Sequence, residues 1–417
     1  MITTPNRIVM TLLPFTLLTL LLELPVLEGA NKLLAICLTL MFAMSLLFQK
    51  VKIKQLVIFL LSIFATALMI VQDLISHDKE LVYLGTAVAV NANLYLPTWC
   101  FFFLYLQNNF EDMIQFLKGH NRLLNGICLT WNFCVLISFA YPGAYSNTWD
   151  GVYFSSFTNG EHRFASVCVF AMAISWVLAL QTGRKGYYGY ALLPLVGILM
   201  CGARTYLAVA TVIVLGMCYC IVWNGRRFLI IFPLILVLTV IVVLNSPIGE
   251  KFANTMRGEG YGGYWFVVTS GRSAIWAVDI NEFYEQSLLY KLIGGGGTYA
   301  YKLHYKHGYA AIWAHNDFFQ LLISNGLIGL YLYLTTILEF TVPRIRALKK
   351  AKRLSAGLSA GFYIIWIFNA FFNGVYAYSG AMFSLPFLFY AMVYAPELKE
   401  ETKWMERDKS LLFKRWS

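Results

Sequence analysis

The chain has 417 residues, of which 59% are hydrophobic, 17% aromatic and only 13% charged, and its mean hydropathy is +0.64. Because a soluble globular protein carries about 25% charged residues, this composition excludes a soluble domain and indicates a polytopic membrane protein. The net charge of +11 does not indicate a nucleic-acid partner, because the basic residues concentrate in alternate connections between apolar runs, as membrane topology requires.

Twelve apolar runs predict an all-α fold with about twelve transmembrane helices. The first run follows Arg7 and lacks a small-residue cleavage site, which predicts a retained helix rather than a signal peptide. The amphipathic stretch at about 110–120 is typical of a helix lying in the membrane interface. The runs lie at about 8–22, 31–48, 55–75, 81–106, 122–140, 164–180, 188–202, 205–222, 228–244, 317–340, 355–372 and 378–395.

The distribution of Lys and Arg orients the predicted helices. Lys50, Lys52 and Lys54 occupy one connection, and the segment PRIRALKKAKR at 343–353 occupies another. Under the positive-inside rule these connections and both termini are cytoplasmic. The predicted divisions are transmembrane helices 1–9 in residues 1–244, a large extracytoplasmic loop in 245–316, transmembrane helices 10–12 in 317–395 and a cytoplasmic tail in 396–417.

The residue types that bind metals and form disulfides do not gather in the predicted loops. All eight cysteines fall in predicted transmembrane helices, so neither a disulfide framework nor a metal site is indicated. No Asp-x-Asp pair lies in a predicted outer loop. We therefore expect no metal ion and no other cofactor.

The long segment 245–316 is predicted to contain a helix of its own, because a plain connection is rarely so long. Thr269 or Ser270 is the predicted N-cap, and the helix should run from about 271 to 293. The tetraglycine at 294–297 ends it, since Gly is favoured just beyond a helix C-terminus. No Lys-Ser/Thr pair and no helix start follow these glycines, so they do not resemble a phosphate loop.

Beyond the tetraglycine, the stretch TYAYKLHYKHGYAAIWAHN alternates aromatic and basic residues. Its tyrosines and Trp313 predict either an aromatic belt at the membrane interface or a platform on which sugar rings stack. His304 and His307 have no partners at metal-ligand spacing, and we expect them only to decorate the loop.

Three cationic or titratable residues stand at predicted helix starts: Arg204 in CGARTYLAVA, Arg272 in TSGRSAIW and His315 in AHNDFFQ. A helix N-terminus already carries partial positive charge, so an acid would be more stable there than a cation. The pattern makes sense if an anion lies in front of these helices, because Arg forks and backbone N–H groups then converge on it. The same field favours a neutral His315, which can accept a proton.

Each of the two arginines also has a simpler interpretation. Arg204 alone is equally well read as an interfacial arginine whose guanidinium reaches toward the headgroups. Arg272 alone could pair with Glu259, Asp279 or another acid of the loop.

His315 has a simpler interpretation too, as a surface or capping residue, with Asn316 or Asp317 as the N-cap of the following helix. Gly326 and Gly329 in that helix are predicted to permit close packing. Only the predicted topology, which brings His315 to the same side of the membrane as the two arginines, favours a shared site.

Three segments together resemble the O-antigen ligase/O-antigen polymerase superfamily. They are GART at 202–205, GRSAIW at 271–276 and HNDFFQLLISNGLIGL at 315–330, in the context of many transmembrane helices and one large outer loop. The resemblance covers roughly residues 160–340 and implies a GT-C-like membrane fold. Ala203 stands where members of the family frequently carry a hydroxyl residue.

The resemblance implies a bacterial enzyme of the cytoplasmic membrane whose active site lies on the extracytoplasmic side. Its substrates would be a glycan linked to polyprenyl (undecaprenyl) diphosphate and an acceptor, and flippase and chain-length regulator proteins would be its partners. By resemblance, Arg204 and Arg272 match the diphosphate-binding arginines, and His315 matches the functional histidine. The supporting residues of the same motifs are Gly271, Trp276, Asn316 and Asp317.

The residues themselves are compatible with a direct, inverting displacement, in which His315 deprotonates the acceptor hydroxyl and the arginines neutralise the leaving diphosphate. Glu282, Asp317 and Glu161 are weaker candidates for the base. We expect a polymerase that extends a lipid-linked repeat unit. The alternatives are a ligase that transfers glycan to lipid A–core, and a transporter of lipid-linked oligosaccharides, which would need titratable residues deep in the membrane.

Overall fold

The computed structural model describes most of the chain and is nearly all-α, which confirms the predicted helical fold class. The predicted helix at 8–22, Glu259 and residues 400–417 of the predicted tail lie outside the described residues. The described residues are 28–75, 85–148, 151–158, 160–222, 225–257 and 263–399.

The helices before the large loop follow the predicted apolar runs in order. They are α1 (Glu28–Leu47), α2 (Ile53–Ile75), α3 (Gly85–Gly119), α4 (Asn121–Ser138), α5 (Glu161–Thr182), α6 (Leu192–Met200), α7 (Arg204–Val222) and α8 (Gly225–Leu244).

The loop and the C-terminal part are also helical. The loop helices are α9 (Pro247–Arg257), α10 (Gly263–Val268), α11 (Arg272–Glu285), α12 (Leu288–Ile293) and α13 (Tyr299–Lys306). The bundle continues with α14 (Asp317–Lys350), α15 (Ala356–Phe372) and α16 (Ser379–Val393).

Within the described residues, five helices are long and apolar enough to cross a membrane: α2, α5, α7, α14 and the part of α8 from Arg226. The apolar helices α15 and α16 are shorter, at 17 and 15 residues. A multi-pass membrane protein is therefore supported, and the number of twelve transmembrane helices stays a prediction.

Two predicted elements have different boundaries in the structure. α3 continues without interruption to Gly119, so the stretch at 110–120 is not a separate interface helix. The run predicted at 188–202 is divided into a 3-10 helix, Lys185–Ala191, and the nine-residue α6. Nine residues extend about 14 Å, well short of the roughly 30 Å hydrocarbon core of a bilayer. Gly186 and Gly189 explain the division, because glycine disfavours a continuous α-helix.

α5 lies at the centre of the bundle, and its 18-residue apolar window is entirely buried. It packs most closely against α16, with further contacts to α4, α6 and α7. Small residues allow this approach: a Cβ added at Gly380 of α16 would lie 2.6 Å from the hydroxyl of Ser166 on α5. The residues of α5 are apolar on all sides, which is typical of a helix buried on all sides.

Most of the basic connections lie at one end of the bundle, opposite to the starts of α5, α7 and α14. We call the end where these three helices start the site end, and the opposite end the basic end. Three ion pairs link helices near the basic end: Lys54–Glu339 at 2.5 Å, Arg344–Glu111 at 3.0 Å and Arg353–Glu397 at 3.1 Å.

A two-stranded antiparallel hairpin occupies part of the predicted connection between α4 and α5. Its strands are β1 (Tyr145–Thr148) and β2 (Gly151–Phe154), paired with Tyr145 opposite Phe154. The Ser138 and Ser156 hydroxyls are 2.7 Å apart and join the end of α4 to the segment after β2.

The helix predicted at 271–293 is interrupted. α11 ends at Glu285, Gln286 is extended, and α12 starts after Ser287, whose side chain accepts a hydrogen bond from the N–H of Tyr290. Gly271, rather than Thr269 or Ser270, occupies the N-cap position of α11. The Thr269 hydroxyl nevertheless accepts a hydrogen bond from the N–H of Ser273 at 3.0 Å, so it still satisfies one of the first free donors.

The tetraglycine ends α12, as predicted, and also packs against a break in α14. The N–H groups of Gly295 and Gly296 donate to the carbonyls of Ile323 (2.9 Å) and Ser324 (3.0 Å). Just beyond, Gly326 leaves the helical conformation with φ 63° and ψ −164°. A Cβ at Gly326 would lie 2.4 Å from the carbonyl carbon of Leu292, so this close contact requires glycine.

The segment after the tetraglycine is fastened to the bundle by Asp73, near the end of α2. The carboxylate of Asp73 accepts hydrogen bonds from the Thr298 hydroxyl (2.7 Å) and backbone N–H (3.2 Å), and from the amide of Asn93 on α3 (2.7 Å). The large loop is therefore held to two helices of the bundle before it reaches His315.

Candidate active site

Four helices start close together at the site end: α5, α7, α11 and α14. A residue with a left-handed backbone precedes each start, namely Gly160 (φ 115°), Gly202 (φ 70°), Gly271 (φ 81°) and His315 (φ 51°). Glycine adopts this conformation freely, whereas His315 does so at a cost of about 1–3 kcal/mol. Such strain, at a residue that the sequence had singled out, is typical of a functional site.

Arg272 joins α11 to two other helices. One of its terminal nitrogens donates to the backbone carbonyl of Phe372, the last residue of α15, and the other lies 3.2 Å from Nε2 of His162 on α5. A cation is favoured at the C-terminal end of a helix, where carbonyls lack helical partners. Burial lowers the pKa of the Arg272 guanidinium, and the nearby Tyr378, Tyr206 and Glu161 act in the opposite direction.

His315 lies beside His162. Their ring centroids are 6.1 Å apart, and the centroid of the Trp313 ring is 4.9 Å from that of His315. Burial lowers the pKa of His315 well below its usual range, and the charges of Arg272, His162 and His304 lower it further. The imidazole is therefore neutral near pH 7 and able to accept a proton, as expected, although burial contributes more than the helix start that the sequence suggested.

Asn316 and Asp317 have distinct structural roles. The Asn316 side chain caps α14 by accepting hydrogen bonds from the backbone N–H groups of Phe318 (2.9 Å) and Phe319 (3.1 Å). The carboxylate of Asp317 accepts from the Tyr333 hydroxyl at 2.8 Å and from the N–H of Val375 at 2.8 Å. Asp317 thus holds the connection between α15 and α16 against α14, which makes it a weak candidate for the base.

Trp276 and Gly271 position the two ends of the site. The indole N–H of Trp276 on α11 donates to the carbonyl of Ala314 at 2.8 Å, directly before His315. Gly271 allows the left-handed turn into α11, and a Cβ there would lie 3.3 Å from the Phe266 ring. Arg272 and His315 are therefore held in one structure by Trp276, which the sequence motif contains but whose contact it does not reveal.

Arg204 lies in an adjoining region. It donates a hydrogen bond to the carbonyl of Lys251 on α9 at 2.6 Å. Lys251 is buried, and its ammonium group is 4.3 Å from the centroid of the Tyr153 ring of the hairpin. The positive charges of Lys251 and Arg272 both act on the His162 ring, so Arg204 is connected to the centre of the site through Lys251.

Aromatic rings surround the two histidines. The Tyr378 ring lies 5.6 Å from Trp313 and 6.3 Å from His162, and the Tyr206 ring lies 6.5 Å from His162. These are centroid distances of rings in contact. Trp313 therefore belongs to a group of contacting rings next to His315, made up of Trp313, Tyr378 and Tyr206, which we call the aromatic wall.

Several buried polar atoms at this place have no hydrogen-bond partner among the described residues. They are Nδ1 of His162, Nδ1 of His315, Nδ2 of Asn316 and Oδ1 of Asp317. Buried polar groups are nearly always paired, so each exception requires an explanation. The two histidine nitrogens lie in neighbouring rings beside Arg272, which favours a polar ligand at this place.

The expectation that His304 lies on the surface of the loop without a structural role was wrong. His304 is fully buried, with Nε2 2.8 Å from Oδ1 of Asp279 on α11 and Nδ1 2.6 Å from the carbonyl of Ile312. Burial raises the pKa of Asp279, and the bond to His304 lowers it again. The pair fixes α13 and the approach to Trp313 onto α11, and it means that Asp279 is not the partner of Arg272.

The other candidates for the base are less suitable. The Glu282 carboxylate accepts hydrogen bonds from the Tyr299 hydroxyl at 2.5 Å and from the amide of Gln286. Glu161 lies 4.0 Å from Nε2 of His162.

Among the residues that the structure describes, no three His, Cys, Asp or Glu side chains form a group that could hold a metal ion.

The structure brings Arg272 and His315 together and adds His162, Tyr378 and Lys251, which sequence reasoning missed. His162 could have been found, because it is a titratable residue in the first turn of α5, the same setting that singled out the other three. Tyr378 and Lys251 carry no comparable local signal.

No model of a known protein family matches this chain, and no curated protein matches it.

Proposed function

We propose that this chain is an integral-membrane glycosyltransferase of the bacterial cytoplasmic membrane. It transfers a glycan from a polyprenyl diphosphate donor to a lipid-linked repeat unit on the extracytoplasmic side, and so acts as a polysaccharide polymerase. The observation that carries the proposal is the half-buried cluster of Arg272, His162 and His315, in which Nδ1 of each histidine is buried without a partner among the described residues.

The cluster fits a diphosphate leaving group. A diphosphate needs positive charge and hydrogen-bond donors, and Arg272, Arg204, Lys251 and the first N–H groups of several helices lie at this end of the bundle. Donors held in place at a buried site stabilise developing negative charge more than donors in water do. Three sequence segments contribute Arg204, Arg272 and His315: GART, GRSAIW and the segment that starts at His315. The resemblance of these segments to a family implied this substrate.

His315 fits the role of general base. It is neutral near pH 7, half-buried and next to Arg272, and it takes the proton of the acceptor hydroxyl as that oxygen attacks the anomeric carbon. The bond from the anomeric carbon to the diphosphate oxygen breaks, and its electron pair stays with the diphosphate. The configuration at carbon is inverted, and general-base catalysis of this kind contributes about 10²–10⁴-fold.

The aromatic wall supports a carbohydrate substrate. Trp313 and Tyr378 are partly exposed beside the histidines and have flat apolar faces with polar edges, and such rings suit the apolar faces of sugars. Tyr206 is fully buried behind them and contacts Tyr378. Either a repeat-unit acceptor or the core sugars of a lipid A acceptor would be recognised in this way, so the ligase remains the alternative that the test has to separate.

The experiment is a deletion of the gene followed by analysis of lipid-linked glycans and surface polysaccharide. A polymerase predicts single repeat units that accumulate on the extracytoplasmic side. Full-length polymer that is not attached to lipid A–core would instead identify a ligase. Repeat units trapped on the cytoplasmic side would identify a transporter and would contradict the enzyme.

The deletion strain must be complemented by the wild-type gene and not by Arg272→Ala or His315→Ala. Both variants have to reach the membrane in wild-type amounts, which a tagged copy shows. Full complementation by both would remove the proposed site even if the deletion phenotype is that of a polymerase.

A further inference from the structure

His162 is a half-buried imidazole that the mechanism above does not use. Its side chain is 21% exposed, and it lies in the first turn of α5 between Arg272 and the rings of His315, Tyr206 and Tyr378. These contacts are with residues of the proposed site, so we assign its role to the same reaction.

The contact with Arg272 determines which nitrogen of His162 carries the proton. A guanidinium donates hydrogen bonds and cannot accept them. Since Nε2 of His162 lies 3.2 Å from a terminal nitrogen of Arg272, Nε2 is the acceptor and Nδ1 carries the hydrogen. Glu161, at 4.0 Å from Nε2, is too far away to hydrogen-bond and hold a second proton there.

The proton on Nδ1 has no acceptor within the described residues, although the atom is buried. A histidine that served only to hold Arg272 would need Nε2 alone. Its fold would then be more stable with an apolar atom in place of Nδ1, or with Nδ1 in contact with solvent. The Nδ1 of His315, which is also buried and lacks a partner, lies in the neighbouring ring. Two such nitrogens beside one arginine indicate that the ligand supplies the missing partners.

We infer that His162 is a second catalytic imidazole, whose neutral Nδ1–H donates a hydrogen bond to an oxygen of the leaving diphosphate while Nε2 accepts one from Arg272. The inference rests on the proposed function. His162 keeps its proton throughout. The electron pair of the broken bond passes to the diphosphate oxygen, the acceptor oxygen forms the new bond to carbon, and the acceptor proton goes to His315.

This role divides the two histidines by chemistry. His315 is beside the aromatic wall of Trp313, where an acceptor sugar would stack, and it acts on the attacking hydroxyl. His162 is bonded to Arg272 and acts on the leaving group. A donor that cannot lose its proton at this stage stabilises negative charge without creating a new buried charge.

Two substitutions separate the two nitrogens of His162. The amide nitrogen of Asn reaches about as far as Nδ1 of histidine, and the amide oxygen of Gln reaches about as far as Nε2. His162→Asn therefore retains the donor, and His162→Gln retains the acceptor for Arg272. The measurements are kcat of glycan transfer by the purified full-length protein and inhibition by inorganic diphosphate, the simplest analogue of the leaving group.

We expect His162→Gln to lower kcat roughly 10- to 100-fold and to weaken inhibition by diphosphate roughly tenfold, as for a lost hydrogen bond to a charged group. His162→Asn should retain most of the kcat and of the diphosphate affinity. Wild-type values for His162→Gln would overturn the inference, and so would an equal loss in His162→Asn, since the donor would then not be what the reaction uses.

A matched control and a second variant guard against misfolding. His307, an exposed histidine at the end of α13, supplies the control His307→Gln, which should behave as wild type. If the variants at 162 do not fold, Nδ1-methylhistidine is incorporated at position 162. It removes only the donor, so it should reproduce the loss expected for His162→Gln, and full activity would overturn the inference.

The outcomes also separate this inference from the proposed function. If the protein binds diphosphate with the stated dependence on His162 but transfers no glycan, the proposed function is contradicted and the diphosphate site is still supported. If the His162→Gln variant transfers glycan at the wild-type rate and keeps its affinity for diphosphate, the proposed function stands and the catalytic role of His162 is contradicted.

Discussion

His315 combines three properties that are rarely found together without a functional reason. Its backbone is left-handed at φ 51°, its Nδ1 is buried without a partner among the described residues, and its ring is near those of Trp313 and His162. Each of the first two lowers stability. A residue that served only to precede the α14 cap would be replaced without loss by glycine, which adopts this backbone freely.

The pH dependence of transfer follows from the pKa of His315. Because burial lowers this pKa well below about 6.5, the usual value, the base form persists as the pH falls through 6.5, and kcat/KM should decline only at lower pH. The measurement is a profile of kcat/KM from about pH 4.5 to pH 8. A decline centred at pH 6.5 or above would contradict the role of His315.

His315→Gln provides the matched control for this profile. It should lower kcat by about 10²–10⁴-fold and remove the acidic decline, because glutamine does not titrate. The same substitution should also affect stability in acid. The unfolded protein binds a proton at position 315 below about pH 6.5 and the folded protein does not, so His315 lowers stability as the pH falls through that range, and the variant should not.

At the scale of elements, the site depends on a loop that is fastened to the bundle at several points. Asp73 holds the segment after the tetraglycine, the His304–Asp279 pair holds α13 on α11, and Trp276 holds α11 against Ala314. These contacts join residues from the two sides of the loop to α2 and α14. Arg272 and His315 therefore move as one unit with the bundle, which is what a preorganised site requires.

The contact of α12 with the break in α14 can be tested by a substitution that adds one methyl group. Gly326→Ala would force φ 63° on a residue with a Cβ and bring that atom within 2.4 Å of the Leu292 carbonyl carbon. We expect a loss of about 1–3 kcal/mol of stability from the backbone alone and a larger loss from the overlap. The measurement is thermal unfolding of the purified protein in detergent.

Gly126→Ala is the control for that experiment. Gly126 lies within α4, and a Cβ there meets no atom within 4 Å, so the substitution should stabilise the helix by up to about 1 kcal/mol. Equal unfolding temperatures for the two variants would contradict the close packing of α12 on α14.

At the scale of the whole molecule, the ion pairs between helices and the candidate site lie at opposite ends. The ion pairs of Lys54, Arg344 and Arg353 lie near the basic end, and the site end carries Arg272, His162 and His315. The positive-inside rule assigns the basic end to the cytoplasm. Under the proposed function, the substrates therefore meet the site from the extracytoplasmic side.

This orientation is tested by cysteine labelling in a variant whose eight native cysteines are replaced. Lys306→Cys, an exposed position at the end of α13, should react in intact cells with a maleimide that cannot cross the membrane. Lys349→Cys, an exposed position at the end of α14, should react only after permeabilisation. The opposite pattern would reverse the topology and place the site in the cytoplasm.

Much of the fold could be predicted from the sequence because its signals are local. The apolar runs that lie in the described residues are helical in the predicted order, and glycine ended α12 as expected. The predictions failed where a run contained its own interruption, at 188–202 and at Gln286. At 188–202 the apolar run continues, but Gly186 and Gly189 disfavour a continuous α-helix. At Gln286 the polar residues Glu285, Gln286 and Ser287 interrupt the pattern, and Ser287 caps a second helix.

By itself, the sequence determined that this is a helical membrane protein and that Arg204, Arg272 and His315 stand at helix starts. Hydropathy and capping act over a few residues, so both are readable from neighbours in the chain. Only the tertiary structure decided that Arg272 contacts His162 and Phe372, and that His304 is bonded to Asp279. These partners are distant in sequence, and packing selects them from many polar residues that local patterns do not distinguish.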